Sequence, residues 1–313
     1  MSRFNRRTVL QGGAAFWLAA SLPAVALAES RQPLSFLALG DWGRQGGRDQ
    51  AAVATAMAAA AEEVGSRFVL SVGDNFYPAG VQSVSDPHWK ESFEDVYAAA
   101  SLQTPWYVAL GNHDYRGKPK AQIAYSTRSA RWNMPHRYFR VQSAALPADV
   151  DVFVLDTTPM AEDLGEAVMR LSWGHVSLPN PGRQLAWLDS QLAQSRATWK
   201  VVVGHHPVRS GGKHGGSPAL AQHLEPILER HGVQAYLCGH DHALQHIQVD
   251  GVHHICTGAG SSAGQVTPVA GTRFAAAQPG FAVFTLEAGA MRMAFRGADG
   301  ATLYQTSLAQ QKT

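Results

Sequence analysis

The chain has 313 residues, 45% of them hydrophobic and 16% charged, without repeats or low-complexity stretches, which excludes a disordered or fibrous protein and suits one or two packed domains. Two cysteines, Cys238 and Cys256, exclude a disulfide scaffold. A formal net charge of +2 excludes the basic footprint that nucleic-acid binding requires.

Residues 1–28 read as a leader. Arg6-Arg7 is a twin-arginine pair, Gly12 to Leu27 is a weakly apolar run, and Ala26-Leu27-Ala28 is a small-x-small cleavage signal. The run is short and rich in Gly and Ala against the ~20 apolar residues of a spanning helix. Removing Arg3, Arg6 and Arg7 leaves 23 basic residues against 24 acidic. The expectation is a periplasmic or secreted protein, exported by the twin-arginine route and free of the membrane in its mature form. That route carries folded proteins, so metal can be inserted before export. Residues 29–313 form one domain, expected as a monomer.

The mature chain opens with an apolar strand, Leu34 to Gly40, followed by an Ala-rich helix from about Asp49 to Val64. Strands are predicted at Arg67 to Gly73, Trp106 to Gly111, Tyr138 to Val141 and Val150 to Leu155. The helix Arg183 to Gln194 carries Leu185, Leu188 and Leu192 on one face, the stripe of a helix lying on a sheet. Strands follow at Lys200 to Gly204 and Gln234 to Gly239, with a helix over Pro218 to Arg230 between them. Thereafter the pattern is all strand: Leu244 to Val249, Val252 to Thr257, Phe281 to Leu286 and Met291 to Phe295. Alternating strands and helices with a strand-rich end argue for an α/β layered fold around a mixed sandwich. Cys238 and Cys256 sit in strand-like apolar stretches and read as buried free thiols rather than a bridge.

Five strand exits share one pattern. They are Gly40-Asp41-Trp42-Gly43, Gly73-Asp74-Asn75-Phe76-Tyr77, Gly111-Asn112-His113-Asp114, Gly204-His205-His206-Pro207 and Gly239-His240-Asp241-His242. Each time a Gly permits a sharp turn and a metal-competent side chain follows. Ligands bind at the carboxyl edge of open α/β sheets, so the side chains are expected to converge there. A lone Gly-Asp or His-x-His is usually a turn or a surface pair; the conjunction of five points to metal. If Asp41, Tyr77 and His242 bind one ion, and Asn112, His205 and His240 another with Asp74 bridging, the first ion sees three anionic donors and the second mostly neutral ones. That asymmetry suits a trivalent ion beside a divalent one.

These motifs, with Tyr77 three residues after Asp74, resemble the purple acid phosphatases of the calcineurin-like metallophosphoesterase superfamily, in their small, mammalian tartrate-resistant form. The likeness runs from about Leu34 to Gly260 and includes Arg131-Trp-Asn-Met-Pro, Gln184-Leu-Ala-Trp-Leu and Cys238-Gly-His-Asp-His-Ala-Leu-Gln. It implies a four-layer α/β/β/α sandwich with mixed sheets. It also implies Fe(III) held by Asp41, Asp74, Tyr77 and His242, beside Fe(II), Zn(II) or Mn(II) held by Asp74, Asn112, His205 and His240. His113 and His214 match the family's proton-handling histidines, and Asp114 reads as orienting His113, with Asp241 in a similar role or capping a turn. His206 stands where the mammalian type has Tyr, and Arg209 near a position where it has Trp, so both are placed at the substrate rim. Residues 158–181 replace the family's repression loop without resembling it. The implied activity is hydrolysis of small phosphate monoesters by a hydroxide generated at the dinuclear Fe(III)–M(II) centre. A phosphodiesterase or nucleotidase using Mn or Zn is the alternative within the fold, and a catalytically silent metal-binding protein the alternative outside it. His88, His136, His175, His223, His231, His246, His253 and His254 lack the strand–Gly context and read as surface or satisfied polar groups. Trp42, Phe76 and Trp106 read as packing around the site.

Overall fold

The computed structural model describes residues 33–161, 180–287 and 289–308. The twin-arginine leader, His175 and most of the 158–181 segment lie outside them. Fourteen strands among the described residues form two mixed sheets of seven. The first has the order β14-β13-β12-β1-β2-β3-β4 and the second β11-β9-β10-β8-β7-β6-β5. In the first sheet β1 (Leu34–Leu39), β2 (Val69–Ser71), β3 (Trp106–Val108) and β4 (Trp132–Asn133) run parallel. The strand-rich end then adds β12 (Gly280–Glu287), β13 (Ala290–Gly297) and β14 (Thr302–Leu308) antiparallel at the β1 edge. In the second sheet β6 (Val150–Val154), β7 (Trp199–Val203), β8 (Ala235–Cys238) and β10 (Val252–Thr257) are parallel, while β5 (Phe139–Arg140), β9 (Leu244–Val249) and β11 (Thr272–Ala276) are antiparallel.

Helix α1 (Gln50–Val64) covers the first sheet with Val53, Ala56, Met57 and Ala60, and ends at Gly65 in the left-handed conformation (φ 61°). Helices α3 (Pro181–Gln194), α4 (Pro218–His223) and α5 (Glu225–Arg230) cover the second. Leu188, Leu192, Leu220 and Leu228 pack there against Phe153, Val202 and Tyr236. The layers are thus helix, sheet, sheet, helix. The continuous helix expected over Pro218 to Arg230 is two: the chain restarts at Leu224, and Pro226, which has no N–H to donate, falls in the first turn of α5. Four elements have no counterpart among the strands and helices expected from the sequence: α2 (Pro119–Tyr125), β4, β11 and β14. Strands β11 and β14 are sheet edges that bury little, so they carry no strong apolar period.

Alternation places His246 of β9 and His253 of β10 between the two sheets, so of the two expected readings, surface or satisfied polar group, the second holds for His246. His246 Nε2 lies 2.9 Å from His253 Nδ1, and His246 Nδ1 is 3.1 Å from the Tyr304 hydroxyl. Both imidazoles are buried, and His253 Nε2 has no hydrogen bond among the described residues. Burial holds each down at about 4, with neighbouring imidazoles and Arg273 adding to the effect. A free histidine titrates near ~6.5, so the unfolded chain takes up these protons first. Stability is therefore full above ~6.5 and lost as pH falls from there towards 4. Melting temperature measured from pH 7 to 4 checks this: His253→Gln is expected to flatten the acid limb relative to the unmodified chain.

Candidate metal centre

Strands β1, β2 and β3 are neighbours in one sheet and β7 and β8 in the other. Their carboxyl ends meet at one edge of the sandwich, and all five glycine exits empty into it. The exits require glycine for contact reasons. A Cβ on Gly73 (φ 96°) would lie 2.7 Å from His205 Nδ1, and one on Gly111 would lie 2.2 Å from Asp74 Oδ1. Three side chains that follow the glycines sit in the left-handed region: Asp41 (φ 62°), Asp74 (φ 51°) and His240 (φ 68°). Such residues cost energy outside glycine and are retained where structure over-determines them, commonly at functional sites.

The seven predicted donors come together in two groups. In the first, Tyr77 Oη lies 2.8 Å from Asp41 Oδ1, 2.8 Å from Asp74 Oδ2 and 3.1 Å from His242 Nε2. His242 Nε2 is 3.4 Å from Asp41 Oδ1. In the second, Asn112 Oδ1 lies 3.1 Å from His205 Nε2 and 3.2 Å from His240 Nδ1, and Asp74 Oδ1 is 3.5 Å from His205 Nε2. Asp74 thus presents one carboxylate oxygen to each group. Carboxylates Asp41 and Asp74 are 0% and 2% exposed, and although backbone N–H groups of His240 and His113 hold one oxygen of each, a single phenol proton stands before the two oxygens turned to Tyr77. A cation resolves that shortage, and spacings of this size are those between ligands on one ion with bonds of ~2.0–2.2 Å. The residues fit a pair of metal ions.

Two of the three donor imidazoles are fixed from behind. His205 Nδ1 faces the Val72 carbonyl at 3.0 Å and His242 Nδ1 faces the Ser262 hydroxyl at 3.0 Å, so both Nε2 atoms are left for the site. Burial works against the Asp74 carboxylate, but the imidazoles of His205 and His113 and the Tyr77 hydroxyl together hold it below its ordinary value. Burial, then Asp41 and Asp74, push the Tyr77 hydroxyl far up, so its ionisation needs a bound cation. Burial and the surrounding imidazoles His206, His205, His214 and His242 keep His240 neutral, the form that binds metal.

His113 and His214 flank the two groups. His113 Nδ1 donates to the Pro78 carbonyl at 2.7 Å, which leaves Nε2 facing Asp74 Oδ2 at 4.0 Å. The His214 ring lies 4.3 Å from the His240 ring. Contrary to expectation, Asp114 does not orient His113, whose Nδ1 is held by Pro78. Its oxygens accept from Gly111 N, Asn75 N, Asn75 Nδ2 and Gln122 Nε2, bracing the turn between the second and third exits. Burial, then repulsion from Asp74, raise Asp114 to about 7. Asp241 ties down the loop before His214: Oδ2 accepts from Ser210 Oγ at 2.5 Å and Oδ1 from the His214 backbone at 2.8 Å.

Two residues placed at the rim are elsewhere. His206 is 3% exposed, with its ring 4.5 Å from that of His240. Thr157 Oγ1 accepts from the backbone N–H of both His205 and His206, which leaves its hydroxyl proton for His206 Nδ1 at 3.0 Å. Arg209 turns away into a two-pronged pair with Glu225, at 2.6 and 2.9 Å. Sequence reasoning missed Thr157. It also missed Asp156, which is 0% exposed, bonded to Tyr115 and paired with Arg137 at 3.5 Å. Their signal was a sixth apolar strand running into polar residues, Leu155-Asp156-Thr157, but without a Gly. Trp42, Phe76 and Trp106 are fully buried beneath the site, and Trp42 Nε1 donates to Ser71 Oγ at 2.9 Å.

Residues 34–244 match the family model described as calcineurin-like phosphoesterase. The chain is 42% identical over 247 residues to rabbit (Oryctolagus cuniculus) tartrate-resistant acid phosphatase type 5, which covers 75% of each. It is 42% identical over 234 residues to purple acid phosphatase 7 of Arabidopsis thaliana, covering 73% of this chain and 70% of the relative. Among solved structures, GAP50, the anchor in the inner membrane complex of Plasmodium, superposes with a TM-score of 0.77 at 25% identity over 90% of both chains. The yellow lupin purple acid phosphatase PPD1 shares the fold, with a TM-score of 0.65 at 14% identity, covering 88% of this chain and 53% of that one.

Proposed function

The chain belongs to the calcineurin-like phosphoesterases as an acid phosphatase that hydrolyses phosphate monoesters, and from that premise we propose that its dinuclear centre pairs a ferric ion with Fe(II), Zn(II) or Mn(II). The observation that carries this reading is the Tyr77 hydroxyl, set between Asp41 and Asp74 at 2.8 Å from each. Asp41, Asp74, Tyr77 and His242 would hold the trivalent ion, because anionic oxygen donors favour high charge. Asp74, Asn112, His205 and His240 would hold the divalent one. Metals so held would supply a nucleophilic hydroxide at working pH and would neutralise charge on the phosphoryl oxygens.

The protein's own share is positioning and proton handling. Asp74, fixed by the His113 backbone N–H at 2.8 Å, sets the spacing of the two groups. His113 Nε2 faces the centre while Nδ1 donates to the Pro78 carbonyl; protonated at Nε2 as well, the imidazolium would hydrogen-bond a phosphoryl oxygen or give its Nε2 proton to the departing alkoxide. His214, on the loop that Asp241 ties down, is the second proton handler. Phosphoryl transfer asks mainly for such positioning and charge neutralisation. A fold shared with a structural anchor does not by itself specify catalysis; the complete donor set supports it here. No helix among the described residues is long and apolar enough to cross a membrane, and we read residues 1–28 as the twin-arginine leader of an exported, monomeric enzyme. Rates on an aryl phosphate monoester and the matching diester test the activity: the monoester is expected to be cleaved faster, and a preference for the diester would refute it.

A further inference from the structure

One charged side chain beside the centre has no part in the chemistry above. The Arg44 guanidinium carbon lies 3.7 Å from the centroid of the Tyr77 ring. His113 occupies the same ring's surroundings at 4.4 Å between centroids. Arg44 is held there by built contacts. Its Nε donates to Ser261 Oγ at 2.9 Å, and Ser261 Oγ in turn donates to the Asp41 carbonyl at 2.5 Å. Its backbone N–H donates to the Oε1 of Gln50, a fully buried residue, at 2.8 Å. The loop it sits on also accepts the Tyr77 backbone N–H, through the Gly43 carbonyl at 2.8 Å. Among the described residues no carboxylate lies within ion-pairing distance of Arg44, so its charge is spent on the tyrosine ring and, at longer range, on Asp41 and Asp74.

We infer that Arg44 is a tuning residue, which sets the electron-donating power of Tyr77 and thereby the reduction potential and colour of the centre. The inference rests on the ferric reading of Tyr77. A cation over a ring's face stabilises its electrons, and a phenolate's more than a phenol's. It acts on the ring at 3.7 Å and less on an ion beyond the phenol oxygen. The filled orbitals of the tyrosinate therefore drop relative to the empty orbitals of the metal. Charge transfer from tyrosinate to ferric ion then costs more energy, and the ferric state is less favoured against the ferrous. Removing the charge reverses both effects. The consequence is functional, because the charge sets how readily the centre takes an electron at a given ambient potential.

The test compares the purified iron-loaded enzyme with its Arg44→Met, Arg44→Lys and Ser261→Ala variants by visible spectrum, spectroelectrochemical potential and iron content. In Arg44→Met the band is expected to move to longer wavelength. The ferric preference is expected to rise on the order of tenfold, which for a one-electron couple is about 59 mV towards lower potential. Arg44→Lys should restore most of the shift, since it keeps a charge, and Ser261→Ala should give an intermediate one by freeing the guanidinium. Where Arg44→Met takes up no iron, the Lys and Ser261→Ala pair carries the comparison. An unmodified enzyme without a tyrosinate band would overturn the ferric reading itself. A normal band in the unmodified enzyme, with unchanged band and potential in the variants, would overturn only the role of Arg44.

Discussion

Replacing Asp74 by Asn is expected to lower kcat on a phosphate monoester by about 10^3-fold or more and to deplete bound metal from both positions. The size follows from the geometry. Oδ2 of Asp74 meets Tyr77 Oη at 2.8 Å in one donor group, while Oδ1 meets the His113 backbone at 2.8 Å and faces His205 at 3.5 Å in the other. An amide removes the anionic charge shared by the two groups and puts an N–H where an acceptor oxygen is needed. Metal catalysis contributes several kcal/mol to the transition state, and ~4 kcal/mol is about a thousandfold in rate. Metal analysis beside the kinetics separates loss of metal from loss of alignment. Activity within tenfold of the unmodified enzyme, with two metals bound, would show that Asp74 does not join the groups.

Gly111→Ala is expected to be as damaging, although residue 111 has no functional group. Its Cβ would stand 2.2 Å from Asp74 Oδ1 and 2.3 Å from Asp74 N. A backbone nitrogen cannot be displaced cheaply, so the β3 exit must move and take Asn112 and His113 with it. Asp114, which grips Gly111 N at 2.8 Å, would be dragged along. Loss of activity to near background and a lower melting temperature are the expected results. Gly65→Ala is the control: Gly65 has a positive φ (61°), which Gly111 does not, but nothing lies within 4 Å of the added carbon. It should cost ~1 kcal/mol of stability and leave kcat unchanged. Equal effects on kcat at the two positions would show that contact at the site is not what Gly111 avoids.

The site was legible in the sequence to an unusual degree, and the reason is local. Asp41, Asp74, Asn112, His205 and His240 each follow a Gly that closes an apolar strand, so short segments of chain encode both the donor and the turn that presents it. The sheet order then does the rest, because β1, β2 and β3 are neighbours in one sheet and β7 and β8 in the other. What escaped depends on long-range packing. Thr157 and Arg44 act through partners 48 and 217 residues away, and no local pattern marks such pairs. Asp114 was given to His113 by sequence adjacency, whereas a turn of 3₁₀ helix at Asp114–Arg116 swings it back to the Gly111 and Asn75 amides. His246 and His253 read as surface or satisfied polar groups, and the choice between the two stays open because an imidazole carries no burial signature of its own. Their place in the alternation of β9 and β10 set them between the sheets. Cys238 and Cys256, directly paired across parallel strands, remain thiols as expected.

In the proposed centre Tyr77 is an anionic ligand of a ferric ion that is paired with a divalent one. A visible spectrum with metal analysis of the purified enzyme, recorded beside Tyr77→Phe, tests it most directly. Expected are one ferric ion and one divalent ion (Fe(II), Zn(II) or Mn(II)) per chain, a tyrosinate-to-ferric charge-transfer band, and loss of that band in Tyr77→Phe. A colourless, fully active enzyme containing no iron would contradict it.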